Sequence, residues 1–230
     1  MVKDHIKRGD YTQKVFPRVI FSPLRIADPL IGVLLLIYWV EKFNNLSDVF
    51  ADWRAVIFLT CVLIAALLQI YWAWFLARER FTWFAALFPW NQALDWLWIY
   101  FLSRALNSNL HIDTWVTIGA TFFVIGSVIE LMSNLQRHHF KRDSNNEGKL
   151  YTGGLFSVVI HPNYAGYILW RSALSLMTGY PVLFGISLVF HFAQFYFHAD
   201  PPFQKYMSNK YGLAWESYVA DHKKVIPGIV

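Results

Sequence analysis

A chain of 230 residues in which 56% are hydrophobic, 19% aromatic and only 15% charged lies outside the profile of an ordinary soluble domain and belongs in a membrane. The net charge of +5 comes from basic residues that alternate with apolar runs, so it reads as a membrane-orientation signal, and a nucleic-acid-binding reading has little behind it.

Along the chain, the first 25 residues are polar and basic, with no apolar core of signal-peptide length, so the first membrane segment is expected to act as its own insertion signal. Six apolar runs follow, at residues 29–40, 55–77, 81–102, 115–132, 164–178 and 181–197. Only the second and third reach the roughly 20 residues that span a bilayer unaided. The expectation is therefore an all-α, polytopic membrane helix bundle with about six transmembrane helices, one domain over residues 1–230, with the first or fifth segment partly re-entrant. Asn45-Leu46-Ser47 is a glycosylation sequon between the first two runs. Cys61, the single cysteine, sits inside the second run, which excludes disulfides and thiolate metal sites. In the third run Asp95 lies one turn after Asn91, with Gln92 beside it; a carboxylate at that depth is paired, protonated or lining a polar cavity.

The fourth run carries Glu130, Asn134 and then Arg137 or His138 on one helical stripe that leads into a basic loop. The loop ends in GGLFSVVIHPNYAGYILW, residues 153–170, where a histidine, an asparagine and a tyrosine stand at the entry to a membrane helix. Pro162 suits the first helical position, and the N–H groups that follow, from Asn163 onward, would favour a phosphate or carboxylate. Arg171 lies one turn beyond Tyr167 within the fifth run, where it could pair with Asp95 or Glu130 or hold an anionic group. His191 and His198 are seven apart on the sixth run. None of the eight histidines has the spacing of a membrane di-iron site, so no metal is expected. Serine-hydrolase, Walker and Rossmann signatures are absent.

With a cytosolic N-terminus, the inside segments hold sixteen basic residues, and the outside ones hold Lys42, Arg54 and Arg104. The positive-inside rule then places both termini and the loop 137–153 in the cytosol, so that cytosolic cofactor-binding loops lie over the bundle.

The residues Glu130, Asn134, Gln136, Phe140, Lys141, Asn146, Gly148, Lys149, Gly154-Leu155, His161-Pro162-Asn163-Tyr164 and Gly166 resemble, in order and spacing, the C-terminal half of the steroid 5α-reductase-like membrane proteins, in their uncharacterised bacterial and fungal branch. The tail from Lys210 to Tyr218, closing on Ile226-Pro227-Gly228-Ile229, resembles the end of sterol C14- and C24-reductases; the same superfamily includes isoprenylcysteine carboxyl and phospholipid methyltransferases. The resemblance covers about residues 115–230. Three positions depart from the pattern: Ile160 stands for an arginine, Tyr167 for a glutamate and Asn134 for an aspartate.

The resemblance implies an enzyme whose loops and helices enclose NADPH in the reductases or S-adenosylmethionine in the methyltransferases, with a lipid or sterol-like substrate entering between helices. It implies catalytic roles for His161, Tyr164 and Glu130, and cofactor contacts from Gln136, Lys141, Gly154, Asn163, Gly166, Arg171, Trp215 and Tyr218. An endoplasmic reticulum location is expected in a eukaryote. Arg137, Lys141, Arg142 and Lys149 outnumber Asp143 and Glu147 beside the HPNY helix, which fits the more anionic dinucleotide. The expected function is thus an NADPH-dependent reductase of a lipid or sterol-like double bond; a lipid or prenyl methyltransferase is the alternative, and a non-catalytic sterol- or lipid-binding protein the third possibility. Tyr167, Trp170 and Trp215 would supply aromatic walls for a sulfonium.

Overall fold

The computed structural model describes residues 6–7, 10, 12, 15–78, 80–87, 90–108 and 110–226, without the side chains of Ile6, Lys7, Phe84, Trp90, Asn91 and Gln92; the proposed Asn91 and Gln92 patch and the closing residues 227–229 therefore lie outside the described residues. The protein is an all-α membrane helix bundle. Its helices are α1 (Val15–Trp39), α2 (Leu46–Ala51), α3 (Trp53–Tyr71), α4 (Trp83–Leu87), α5 (Trp90–Leu106), α6 (Ile112–Arg142), α7 (Pro162–Leu176), α8 (Pro181–Gln194), α9 (Asp200–Tyr211) and α10 (Leu213–Asp221). One short antiparallel pair joins Ile6–Lys7 to Arg80–Phe81.

Among the described residues, four segments are long and apolar enough to cross a membrane: Val15–Trp39, Trp53–Leu76, Ile112–Arg142 and Pro181–Tyr211. Of their apolar stretches only 33%, 39%, 33% and 17% is buried by protein. So much uncovered apolar helix surface is stable only against lipid. The third apolar run falls on α4 and α5 and the fifth on α7; α5 and α7, of 17 and 15 residues, are shorter than the roughly 20 that a span needs.

The chain divides into two compact units. The first comprises Met1–Phe123 with Ser172–Ile186, and the second Val124–Arg171 with Ser187–Val230. In the first, α1 packs against α3, α4 and α5 around Leu36, Phe58, Ile99 and Leu102. Helix α1 starts fourteen residues before the apolar run that announced it, because its polar residues are satisfied inside the unit. Arg25 pairs with Asp28 at 3.4 Å, and Arg18 donates to the carbonyl of Ala77 at 3.0 Å. These two arginines, counted above as cytosolic markers, are buried structural groups. Asn45 of the sequon caps α2, its Oδ1 accepting from the N–H groups of Ser47 and Asp48.

Asp52 caps α3 and receives both Arg54 (2.9 Å) and Lys42 (2.5 Å), two of the three basic residues expected outside. Burial alone would raise the Asp52 carboxyl, but its hydrogen bonds to Arg54 and Lys42 hold it down at about 2.

The second unit holds the loop and the HPNY junction. Helix α6 runs past the membrane stretch to Arg142, and α8 continues through a π-turn at Phe195–Ala199 into α9. Both extensions carry polar residues that end the hydropathy signal without ending the helix.

Candidate functional site

The loop between α6 and α7 is tied to the rest of its unit at several points. Lys141 Nζ donates to the carbonyl of Lys149 and, at 3.0 Å, to the Tyr211 hydroxyl. Gln136 Oε1 accepts the Leu155 N–H at 3.0 Å. Gly154 has φ +57°, and a Cβ there would sit 2.4 Å from the same Gln136 oxygen, so only glycine gives both the left-handed turn and the space. Tyr218 donates its hydroxyl to the Phe156 carbonyl at 2.5 Å, and Trp215 is buried beside it against Ile160. Burial pushes the Tyr218 phenol above its usual range. Four residues expected at the cofactor, Gln136, Gly154, Trp215 and Tyr218, thus hold the loop in shape, and Lys141 does the same.

The segment that enters α7 is strapped by the tail. The Ile160 and His161 N–H groups donate to the carbonyls of Lys223 and Lys224. Helix α7 starts at Pro162, as the sequence predicts, and the His161 carbonyl accepts the Ala165 N–H. The His161 ring is buried edge-on to Phe203 and Phe195, with ring centroids at 4.8 and 5.1 Å. Its Nε2 lies 2.9 Å from Asp200 Oδ1. Burial pushes the His161 pKa below its ordinary value even against the pull of Asp200, so a neutral ring donates its Nε2–H to the carboxylate. Asp200 also receives Lys224 at 2.6 Å and Gln204 at 2.8 Å. Asn163 and Tyr164 are half-buried in the first turn of α7, with the Tyr164 ring 4.7 Å from that of Phe195.

Deeper in the same unit, α6 and α7 cross at two glycines. A Cβ on Gly126 would lie 2.6 Å from the Trp170 nitrogen, and one on Gly166 would lie 2.5 Å from the Glu130 nitrogen and the Gly126 oxygen. Gly166 is a helix-crossing residue, with no room for a side chain on its Cα. The close approach lets Trp170 Nε1 donate to Glu130 Oε2 at 2.5 Å. Arg171 is fully buried, its guanidinium 5.6 Å from the Trp170 ring centroid. Tyr167 stands edge-on to Trp170 at 5.4 Å and to His191 at 6.1 Å. Asn134 accepts from Arg137 at 3.3 Å on the predicted stripe.

The structure thus divides the expected site in two. His161 and the loop residues form one network at the junction, while Glu130, Trp170, Tyr167, Arg171 and His191 form another around the α6–α7 crossing. Asp200, Gln204 and Lys224 were not foreseen; the signal available was an acidic residue closing the sixth apolar run. His198 is exposed, whereas His191 is buried, so the pair does not act together. Among the described residues no three His, Cys, Asp or Glu side chains converge as metal ligands.

Comparison with known proteins places these networks in a family setting. Over 99 residues the chain is 37% identical to a protein named "Probable O-methyltransferase ustE" from Ustilaginoidea virens, covering 43% of this chain and 34% of the relative. Over 108 residues it is 31% identical to "Delta(14)-sterol reductase LBR" from Gallus gallus, covering 41% of this chain and 17% of the relative. The matched stretches thus span about a third and about a sixth of those relatives. The model of the family described as "Protein of unknown function (DUF1295)" matches residues 73–220. That match covers well over half of the chain, including the loop, the HPNY junction and the α6–α7 crossing, and the chain therefore belongs to this steroid 5α-reductase-like family.

Proposed function

We propose that this chain is a membrane enzyme that brings a lipid-soluble substrate to a cofactor admitted from its polar loops, and that its reaction is methyl transfer from S-adenosylmethionine to that substrate. The observation that carries the choice is where the positive charge at the junction is engaged. A dinucleotide with a pyrophosphate and a 2′-phosphate asks for several cations. Lys141 is engaged by Lys149 and Tyr211, Lys224 by Asp200, and Arg137 by Asn134. Of the four basic residues whose surplus favoured NADPH on sequence grounds, Arg137 and Lys141 are therefore committed to the fold, and Lys224 beside them is paired with Asp200.

The residues suit S-adenosylmethionine, which supplies an electrophilic methyl group on a sulfonium. Tyr167, standing where related reductases carry a glutamate, contributes a ring beside Trp170, and aromatic faces attract a sulfonium. Asn163 and Tyr164 in the first turn of α7 would bind the carboxylate of the amino-acid portion. The relative named as an O-methyltransferase supports the same reading.

A second reading, an NADPH-dependent reductase of a lipid or sterol-like double bond, is favoured by the fully buried Arg171, a permanent cation able to face a phosphate, and by the relative named as a sterol reductase. Thermal unfolding of the detergent-purified protein separates the two. A ligand that binds only the folded state at a hundred times its Kd adds about 2.7 kcal/mol of stability. Stabilisation by S-adenosylmethionine and S-adenosylhomocysteine, with none by NADPH, is expected. The opposite pattern makes the protein a reductase, and no effect from any of them leaves lipid binding without catalysis.

A further inference from the structure

His191 lies on α8 within the continuous helical segment Pro181–Tyr211. Ten steps of 1.5 Å from Pro181 put it about 15 Å along the helix, inside the apolar run 181–197. The side chain is 2% exposed. Its Nδ1 is 2.8 Å from the carbonyl oxygen of Ser187 and 3.2 Å from the Ser187 hydroxyl. A carbonyl only accepts, so the ring hydrogen is on Nδ1, and the neutral imidazole carries its lone pair on Nε2. That Nε2 has no hydrogen-bond partner among the described residues. An orphan acceptor in an apolar interior costs free energy that a phenylalanine in the same space would avoid. The ring is not merely filling space. Tyr167 stands edge-on to it, and the buried Arg171 is within electrostatic reach of it.

We infer that Nε2 of His191 accepts the hydroxyl proton of a lipid-soluble alcohol or phenol, which makes a hydroxyl-bearing lipid the substrate class of this site. The assignment rests on the methyl-transfer reading for its chemical purpose. A methyl acceptor oxygen must lose its proton, and this atom is a base without a proton of its own. When the O–H bond breaks, the electron pair stays on oxygen and the proton forms the Nε2–H bond. The protonated ring stays anchored by Nδ1–H to Ser187, and the charge of Arg171, which opposes the cation on the ring, favours the oxygen anion left behind. Its place inside the apolar run of α8 explains why the substrate is a lipid: a water-soluble alcohol does not partition into an apolar helix bundle.

The test uses 4-dodecylphenol and its methyl ether, 4-dodecylanisole, two probes of nearly the same shape of which only the first can donate to Nε2. In equilibrium dialysis against protein in nanodiscs, the wild type is expected to bind the phenol at least about tenfold more tightly than the ether. His191→Phe keeps the ring and removes the acceptor, so the ratio should fall to about one while stabilisation by S-adenosylhomocysteine is unchanged. His191→Asn, whose amide oxygen accepts, should restore part of the preference, and it carries the test if the phenylalanine variant does not fold. Equal binding of the two probes by the wild type, or a preference that survives in His191→Phe, overturns the inference. Loss of the preference in His191→Phe with no response of the wild type to S-adenosylmethionine or S-adenosylhomocysteine supports the acceptor site and removes the methyl-transfer reading instead.

Discussion

Asp200 takes His161, Gln204 and Lys224 on its two oxygens while itself only 2% exposed, so its charge is compensated by one cation and two neutral donors. Removing a buried partner leaves the others without an acceptor. Asp200→Ala is expected to cost about 2–4 kcal/mol, read as a fall in Tm of the purified protein. Lys224→Met should cost less, about 1 kcal/mol, because the lysine side chain is 33% exposed and its charge is screened. Equal losses in the two variants would mean that the carboxylate is not the centre of the network.

The same residues predict how stability depends on pH. The folded pKa of His161 lies below its ordinary value near 6.5, so below that pH the unfolded chain binds a proton that the folded one resists. Stability from this group is present above about 6.5 and lost as pH falls further. Asp52, held at about 2, contributes a second loss that sets in only below about pH 4, its usual unfolded value, and runs down through 2. Tm plotted against pH should therefore fall in two stages, and His161→Gln should remove the upper one. A single acid limb unchanged by that variant contradicts the neutral, buried histidine.

At the level of elements, the α6–α7 crossing depends on Gly126 and Gly166, where an added Cβ meets backbone atoms that cannot swing aside. Gly166→Ala and Gly126→Ala are each expected to lower stability by at least about 2 kcal/mol and to separate Trp170 from Glu130. Gly185→Ala on α8 is the control: its Cβ meets nothing within 4 Å, so helix propensity alone acts and the change should be neutral or stabilising by up to about 1 kcal/mol. A Gly166→Ala protein as stable as wild type would overturn the crossing. The apolar runs made the helices legible, and Pro162 marked the start of α7 because its fixed φ and missing N–H fit only there. What hydropathy could not show is where polar residues stay helical. Arg18, Arg25 and Asp28 are hidden in α1 by partners distant in sequence or one turn away. Gln136, Gly154 and Tyr218 belong to the resemblance as cofactor contacts, and the fold shows in addition that these three hold a loop.

For the whole molecule, orientation follows from the second unit and from charge. Lys223 accepts the Ile160 N–H through its carbonyl and forms an isolated bridge with Val159, so the tail lies at the same end of this unit as the segment entering α7. The loop after α6 and that tail must therefore share one side of the membrane. Burial of Arg18 and Arg25 removes two residues from the inside count, and the pairing of Lys42 and Arg54 with Asp52 neutralises part of the outside count. The bias toward the loop and tail side persists, with Arg137, Lys141, Arg142, Lys149, Lys205, Lys210, Lys223 and Lys224 all in the second unit. The positive-inside rule then predicts that this side faces the cytosol. Single cysteines at the exposed positions Asn145 and Lys223, in a Cys61→Ala background, test this in sealed microsomes with a membrane-impermeant maleimide. Both should be labelled without permeabilisation. Protection of both reverses the orientation and makes the cofactor entry lumenal, whereas labelling of only one contradicts the strapping of the tail to the HPNY junction.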